Sequence, residues 1–302
     1  MSPLDGLLAA VADDLGGEVI SVGRLTGGDV AEAVRIDLVA DGDGSSPRTV
    51  FAKTHASPPA NFFSTEASGL EWLRSAGAVA VPEVLAHSDG APDDRGPARL
   101  VLEWIEESGR PTGAHGVEEA FGRDLAALHR AGAPSFGRQD RRTTGSRGLP
   151  NEPCATWVEF YATQRLEPLA RIARDEDALP GDVIDDLVVL AGRLDRLGVP
   201  VEPPARLHGD LWAGNRLVDG DGRSWLIDPA AHGGHREFDL AMMSLFGGFG
   251  VRAVAAYDEA HPLADGWQER ASLHQIAPLV VHAIKFGGGY RAAAAAAIRR
   301  HV

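Results

Sequence analysis

A short polar segment in the C-terminal half of the chain has the residue spacing of a phosphoryl-transfer site. Asp210 is followed five residues later by Asn215, within the sequence HGDLWAGN. Loops that catalyse phosphoryl transfer use this spacing to place an acid beside an acceptor hydroxyl and an amide beside a metal ion. The spacing is weak evidence alone, so its value depends on the residues that follow.

A predicted hairpin follows this segment and brings a further carboxylate back to it. Residues 217–218 and 224–227 are typical of short strands, and the Asp-Gly-Asp-Gly sequence between them is typical of a tight turn. Because the ends of an antiparallel hairpin meet, we expect Asn215 and Asp228 to lie side by side, although twelve residues separate them. Their amide and carboxylate oxygens are hard ligands that suit Mg²⁺. The sequence therefore predicts a magnesium site here, with Asp210 beside it facing a hydroxyl.

The alternative interpretation is a surface hairpin whose acids are only solvated. For any one of these residues that interpretation would be sufficient, since Asp is common in loops. The ordered set of His208, Asp210, Asn215 and Asp228 around one hairpin favours the catalytic interpretation.

A lysine and a glutamate near the N-terminus are candidates for positioning a phosphate. Lys53 ends a run of strand-forming residues, as the phosphate-binding lysine of kinases does, although a lysine at a strand end is usually solvated. Glu66 shares one face of a predicted helix with Leu70 and Leu73, at i, i+4 and i+7. A carboxylate that points inward needs a cation. We therefore expect Lys53 to pair with Glu66 rather than with Glu71.

Two further segments are candidates for contacts with a nucleotide. Gly27 and Gly28 precede a strong strand signal, and adjacent glycines let backbone N–H groups approach phosphate oxygens. A simple turn is the alternative. The segment Glu103, Trp104 and Ile105 ends an apolar strand and enters a polar connector, where a kinase offers backbone groups to adenine. Both segments are predicted to bind the nucleotide.

The predicted secondary structure changes character near residue 105. Strand signals occur before it at 33–39, 49–52, 79–86 and 98–105, with one helix inserted at 62–75. Helical signals dominate after it, at 117–131, 155–174, 181–197 and from 267 onward. We therefore predict three parts: residues 1–102 as an N-terminal ATP-binding lobe, 103–116 as a hinge and connector, and 117–302 as a catalytic and substrate-binding lobe.

Composition excludes several classes of partner. The 302 residues contain 43 acidic and 29 basic residues, a formal net charge of −14. Such a surface repels nucleic acid and anionic lipid, so we expect neither as a partner. The single cysteine, Cys154, cannot form an internal disulfide. Neither a signal peptide nor an apolar run long enough to span a membrane is recognisable, so we expect a cytoplasmic protein.

Several stretches resemble the fructosamine (ketosamine) kinase family. They are HGDLW with Gly214 and Asn215, LIDPA at 226–230, GHREFDLAM at 234–242 and FGGGY at 286–290. Aminoglycoside and choline kinases share the Asp-to-Asn loop, but Trp212 and the Gly-His-Arg-Glu stretch are more similar to the fructosamine kinases. The resemblance spans nearly the whole chain.

The resemblance implies an α+β, protein-kinase-like fold with two lobes. The N-terminal lobe would be a small antiparallel sheet with one helix, and the C-terminal lobe would be larger and mainly helical. It implies phosphorylation of the 3-hydroxyl of ketosamines, such as fructoselysine or ribuloselysine, by ATP with Mg²⁺. The 3-phosphate makes the adduct unstable, so glycation is reversed. By position, Asp210 would be the base, Asn215 and Asp228 the metal ligands, and Lys53 with Glu66 the phosphate-positioning pair.

Other residues near these motifs have two interpretations. Trp212 is either a platform under the substrate or a core residue. Asp239 begins a predicted helix, and we expect it to accept backbone N–H groups near the catalytic loop. His232 and His235 would form a metal pair only with a third ligand, which the sequence does not indicate.

Alternative functions remain open at this point. The chain could phosphorylate another small hydroxyl compound of the aminoglycoside, choline or homoserine type, with residues 133–153 setting the choice. Asp29 in the glycine turn and the loosely matching segment 143–151 are departures from the family pattern that concern this choice. An inactive nucleotide-binding pseudokinase is a further alternative, against which the retention of Lys53, Asp210 and the two metal ligands argues. The oligomeric state is not indicated.

Overall fold

An antiparallel sheet of five strands forms the N-terminal part of the chain in the computed structural model. The structure describes residues 3–25, 31–40, 47–90, 96–108, 116–141, 143–144 and 148–302. The elements of the N-terminal part are α1 (Pro3–Leu15), β1 (Gly17–Arg24), β2 (Glu32–Ala40), β3 (Arg48–Thr54), α2 (Phe62–Arg74), β4 (Val84–Ser88) and β5 (Arg99–Glu103). The strands lie in the order β1-β2-β3-β5-β4.

The sheet is covered by one helix on each face. The alternating residues of β2 are buried against Leu7 and Val11 of α1, and Leu100 of β5 packs with Leu70 and Leu73 of α2. Neither α1 nor β1 was predicted, and α1 gives this lobe a second helix in addition to the expected α2. The residues of β1 are mostly exposed, so they lack the alternation by which a strand is recognised in a sequence.

The apolar run predicted as a strand at 79–86 has two roles in the structure. Only its second half enters the sheet, as β4. Its first half instead contacts the hairpin of the catalytic segment, where Ala80 bridges Trp225 and accepts a hydrogen bond from the backbone N of Leu226 at 2.9 Å. The chain that follows α2 is therefore bonded directly to the hairpin.

The rest of the chain is mainly helical, as predicted. Its helices are α3 (Val117–Arg130), α4 (Trp157–Tyr161), α5 (Glu167–Asp175), α6 (Gly181–Ala191), α7 (Glu237–Leu245), α8 (Val251–Ala260), α9 (Trp267–His274), α10 (Ile276–Phe286) and α11 (Gly289–Arg299). A π-helical turn at Ala162–Leu166 joins α4 to α5. Within the described ranges, no helix combines the length and apolar character needed to cross a bilayer.

Short strand pairs frame the catalytic segment. The strands of this region are β6 (Thr143–Thr144), β7 (Leu149–Pro150), β8 (Ala205–Leu207), β9 (Arg216–Val218), β10 (Ser224–Leu226) and β11 (His232–Gly234). β8 pairs with β11 and β9 pairs with β10, both antiparallel. Residues 208–215 therefore run from one strand pair to the other, which fixes both ends of the loop.

Candidate active site

The candidate catalytic loop, residues 208–215, is folded around the side chain of Asn215. Its Nδ2 donates to the backbone oxygen of Asp210 at 2.8 Å and to Asp210 Oδ2 at 3.2 Å. The backbone N of Asn215 donates to the oxygen of Trp212 at 3.0 Å and closes a 3₁₀ turn. The acid and the amide are therefore in direct contact, and none of these bonds uses the amide oxygen of Asn215.

The predicted hairpin forms and returns Asp228 to this loop. The backbone N of Ile227 donates to the oxygen of Asn215 at 3.1 Å, one residue before Asp228. Asp228 itself has a φ of 52°, in the left-handed region that non-glycine residues seldom adopt. Such backbone strain is concentrated at functional sites. Its side chain remains half exposed, at 51%, beside the loop.

Lys53 connects two carboxylates from different parts of the chain. Its Nζ lies 2.7 Å from Glu66 Oε2 and 2.5 Å from Asp228 Oδ1. Glu66 is the partner expected from the helical phase, whereas Glu71 lies on the exposed face of α2. The sheet, α2 and the hairpin thus meet at one ammonium group, and the side chains of Lys53 and Glu66 are only 10% and 12% exposed.

The three charges of this cluster differ in how well their surroundings stabilise them. Burial alone would lower the pKa of Lys53, but Glu66 and Asp228 outweigh burial and raise it. Burial would raise the pKa of Asp228, yet Lys53 holds it below its ordinary value, so this group is a carboxylate at neutral pH. Burial raises the pKa of Glu66 above its ordinary value, and the attraction of Lys53 opposes this rise. Glu66 is therefore the least stabilised charge of the three.

The carboxyl group of Asp210 has a pKa near neutral pH. Burial, together with the nearby negative charge of Asp228, raises its pKa to about 7, while the hydrogen bond from Asn215 and the charge of Lys285 oppose the rise. A general base is most effective when its pKa lies near the working pH. The carboxylate can therefore accept a proton from a hydroxyl.

Asp239 holds the catalytic loop at its first two residues. Its Oδ2 accepts a hydrogen bond from the backbone N of His208 at 2.7 Å, and its Oδ1 accepts one from Gly209 at 2.9 Å. His129 lies 3.2 Å from the same carboxylate. Burial alone would raise the pKa of Asp239, but His129 and these N–H donors lower it. The expected role of Asp239 beside the loop is confirmed.

The two predicted nucleotide segments differ in what can be stated of them. Gly27 and Gly28 lie outside the described residues. The strands that flank them converge near Lys53, because Leu25 N donates to Ala33 O at 3.0 Å and Ala33 pairs with Lys53 across β2 and β3.

In the second segment, the N–H of Glu103 is already bonded to Glu83 O at 2.9 Å. The chain then passes to Glu107, which bridges Asp219 in the hairpin turn. The role of Glu103, Trp104 and Ile105 in contacting adenine stays a prediction.

Comparisons with known proteins identify the family of this chain. The family model described as fructosamine kinase matches residues 10–302. The chain belongs to this family. A probable ketoamine kinase from Synechocystis sp. is 36% identical over 242 residues, which cover 80% of this chain and 79% of that protein. The solved structure of a provisionally named fructosamine-3-kinase from Thermobifida fusca has a TM-score of 0.84 and 40% identity, with 97% of each chain covered.

A more distant neighbour shows how widely the fold is shared. Choline kinase from Streptococcus pneumoniae has a TM-score of 0.61 at 16% identity, and the match covers 99% of this chain and all of that one. Likeness at that level concerns the fold alone. The chain therefore has the α+β, protein-kinase-like fold that the resemblance implied.

The Gly-His-Arg-Glu stretch at residues 234–237 belongs to a buried polar network. Glu237 accepts two hydrogen bonds from Arg270, at 2.9 and 2.5 Å, and lies 3.3 Å from His274 Nε2. His235, Glu237 and His274 are close enough together to hold a metal ion. However, Arg270 already engages both oxygens of Glu237 and adds a positive charge, which disfavours a cation there. The network therefore ties α7 to α9, and we assign it a structural role.

An exposed aromatic surface lies next to the catalytic loop, and most of it was missed from the sequence. Its members come from the loop and from the ends of α7, α10 and α11: Trp212, Phe246, His282, Phe286 and Tyr290. Trp212, Phe246 and Phe286 are 40, 37 and 47% exposed. Trp212 is thus not a core residue. The FGGGY sequence was a usable signal, but only tertiary structure brings it to the loop.

Proposed function

We propose that this chain is an ATP-dependent kinase that phosphorylates the 3-hydroxyl of ketosamines, the adducts of a sugar with an amine. The proposal depends on one observation, the convergence of Lys53, Asp210, Asn215 and Asp228 in a chain of the fructosamine kinase family. Phosphorylation at that hydroxyl would destabilise the adduct and release the amine, which is a deglycation activity.

Asn215 and Asp228 are the residues that would hold Mg²⁺. The amide oxygen of Asn215 is free of the bonds made by its nitrogen, and the lowered pKa of Asp228 keeps a half-exposed carboxylate ionised. One carboxylate and one amide oxygen, with room for water and phosphate oxygens, fit the preferences of this ion. When bound, the ion would neutralise charge on the phosphate oxygens of ATP.

Lys53 and the segments near it would position ATP. In the proposed arrangement, Lys53 contacts phosphate oxygens, and Glu66 orients its ammonium group. Gly27 and Gly28 would offer N–H groups to the phosphates. Residues 103–105 would offer backbone groups to adenine. The proposed lobes are 1–102 for ATP and 117–302 for catalysis and acceptor binding, joined by 103–116.

Asp210 would act as the general base. The acceptor oxygen forms a bond to the γ-phosphorus, its proton passes to an Asp210 carboxylate oxygen, and the bond from phosphorus to the leaving oxygen breaks so that ADP departs with the electron pair. Asn215 holds the Asp210 side chain and main chain together, so the base is positioned before the substrate arrives.

The aromatic surface is the proposed acceptor site. Trp212 lies two residues from Asp210, and its exposed indole would lie under the sugar or attract the protonated amine of the adduct. An apolar patch beside a half-buried acid is unusual for a solvated surface and is typical of a binding site.

A phosphate-transfer assay tests this function. The purified chain would be incubated with Mg²⁺, γ-labelled ATP and a panel of fructosyl-lysine, ribulosyl-lysine, an aminoglycoside and choline. We expect label on the ketosamines alone. Asp210→Asn should reduce kcat by about a thousandfold while ATP still binds, because only the proton acceptor is removed.

Three results would contradict the proposal. Transfer to the aminoglycoside or choline alone would assign a different acceptor. Binding of ATP without transfer to any acceptor would indicate a pseudokinase. Near-normal turnover by Asp210→Asn would exclude Asp210 as the base.

A further inference from the structure

The indole ring of Trp72 in α2 is contacted by two arginine side chains from later in the chain. The Cζ atoms of Arg138 and Arg206 are 4.8 and 4.7 Å from its ring centroid. Arg138 follows α3, and Arg206 lies in β8, just before the catalytic loop. A planar guanidinium group binds an indole face by stacking and by cation–π attraction. We call these three residues the Trp72 clamp.

Both arginines of the clamp also hydrogen-bond to α2. Arg206 Nη1 donates to Trp72 O at 2.6 Å and to Ser75 Oγ at 2.8 Å, and Arg138 Nη2 donates to Ser68 Oγ at 2.9 Å. Positions 68, 72 and 75 share one face of the helix. A positive charge beside the last carbonyl groups of a helix is also stabilised by the negative end of the helix dipole. The clamp therefore fixes the rotation of α2 about its axis.

Two more contacts leave α2 little freedom to shift. At its start, Asp89 Oδ1 accepts hydrogen bonds from the backbone N of Phe63 at 2.8 Å and of Ser64 at 3.1 Å. In its middle, a Cβ on Gly69 would lie 3.2 Å from Cγ of Pro229, the residue after Asp228. α2 therefore packs closely on the segment that carries a proposed metal ligand.

Glu66 depends on this external support. Its carboxylate is nearly buried, and its Oε1 has no hydrogen-bond partner among the described residues. Burying an ionised carboxylate with an unsatisfied oxygen is costly. This cost offsets most of the attraction between Glu66 and Lys53, so their ion pair alone does not hold the helix in position. Contacts elsewhere on α2 must hold Glu66 in place.

We propose that Trp72 is a positioning residue for phosphoryl transfer, because the clamp sets the rotation of α2 at which Glu66 meets Lys53. The inference rests on the proposed role of Lys53 in holding the phosphates of ATP. Trp72 acts through Glu66, and the described contacts of its ring are with arginines that are not part of the aromatic surface. Its loss should therefore change the use of ATP and leave acceptor binding nearly unchanged.

Kinetics of Trp72→Leu and Trp72→Phe test the inference. Trp72→Leu should raise KM for ATP and the calorimetric Kd for ATP by about tenfold, because Glu66 would no longer hold Lys53 in position for the phosphates. KM for the acceptor should stay within about twofold of the wild-type value. Trp72→Phe keeps a ring for the arginines and should recover most of the loss. In a Glu66→Gln background, Trp72→Leu should add less than about twofold, because residues that act through one another are not additive.

Control variants separate positioning from general damage. Arg174→Lys changes an exposed arginine of α5, which lies 3.2 Å from Asp185, and should leave the Kd for ATP unchanged. If Trp72→Leu fails to fold, Arg206→Lys provides the same test, since it keeps the charge but loses the planar stack.

The inference is overturned if folded Trp72→Leu binds ATP normally, or if its effect multiplies in full with that of Glu66→Gln. The Kd for ATP does not depend on the acceptor. A wrong assignment of the acceptor would therefore change the result of the transfer assay alone. It would not change the Kd for ATP measured for the Trp72 variants.

Discussion

Gly214 lies directly against the indole ring of Trp212, since a Cβ at Gly214 would be 2.2 Å from Cη2 of that ring. The indole therefore folds back over its own loop. It remains 40% exposed and meets the ring of Phe246 edge-on, with 6.2 Å between centroids. The missing side chain at Gly214 is what allows a large aromatic residue to lie beside Asp210.

We expect Gly214→Ala to displace the Trp212 ring and weaken acceptor binding. KM for fructosyl-lysine should rise by about tenfold, which corresponds to about 1.4 kcal/mol of lost interaction. Gly220→Ala is the matched control, because no atom lies within 4 Å of a Cβ placed there. Equal KM values for the two variants would show that Trp212 does not contact the acceptor.

Removal of the charge on Glu66 should impair the use of ATP. In Glu66→Gln, Asp228 is the anionic partner that Lys53 keeps among the described residues, so its ammonium group is drawn toward the hairpin. We expect kcat/KM for ATP to fall by about ten- to a hundredfold, because a misplaced charge stabilises the transition state poorly. Glu71→Gln removes an exposed carboxylate from the same helix and should have wild-type kinetics. A similar loss in both variants would contradict a specific role for Glu66.

The parts of the site that were predictable are those encoded by contiguous residues. The hairpin follows from two short apolar runs around an Asp-Gly turn, and its closure brings Asn215 to Asp228. The pairing of Glu66 with Lys53 follows from helical phase and from the cost of burying a lone carboxylate. Both are local rules that act over a few turns or one strand pair.

The parts that were missed depend on contacts between distant segments. Nothing in the periodicity around Trp72 indicates that Arg138 and Arg206 will stack on it. The aromatic surface likewise gathers Phe246 and Phe286 from separate helices. β1 was missed because its exposed residues do not alternate. Single-sequence patterns report burial along one element and carry little information about which elements meet.

The contact between α3 and α8 predicts an unusual cost for a small substitution. A Cβ at Gly122 of α3 would lie 2.1 Å from the backbone oxygen of Ala253 in α8. Alanine gains about 1 kcal/mol in helix propensity over glycine, but a backbone atom cannot move aside as a side chain can. We expect Gly122→Ala to lower the free energy of unfolding by about 3 kcal/mol in urea denaturation. Gly181→Ala, where a Cβ meets no atom within 4 Å, should be neutral or slightly stabilising.

His232 should make the fold sensitive to mild acid. Its ring is buried, stacks on Phe160 with 5.3 Å between centroids, and donates from Nδ1 to Ala230 O at 2.8 Å. Burial, reinforced by the positive charge of Arg165 and opposed by Asp239, lowers its pKa from 6.5 to about 3. Between these values the unfolded chain binds a proton that the folded chain does not. The free energy of unfolding is therefore not reduced by His232 above pH 6.5. It decreases progressively as the pH falls from 6.5 toward 3.

The variant His232→Phe isolates this contribution. Each titrating group of this kind costs about 1.4 kcal/mol of stability per pH unit below its unfolded pKa. His235, whose pKa burial lowers to about 4, acts in the same direction and remains in the variant. In urea denaturation at pH 6.0, 5.5 and 5.0, the free energy of unfolding of the variant should therefore fall less steeply with decreasing pH than that of the wild type. The difference in slope should approach about 1.4 kcal/mol per pH unit, the effect of one proton. At pH 7 it should be weaker by about 1 kcal/mol, because the hydrogen bond to Ala230 is lost. Parallel stability curves over this range would mean that His232 is protonated as readily in the folded chain as in the unfolded one.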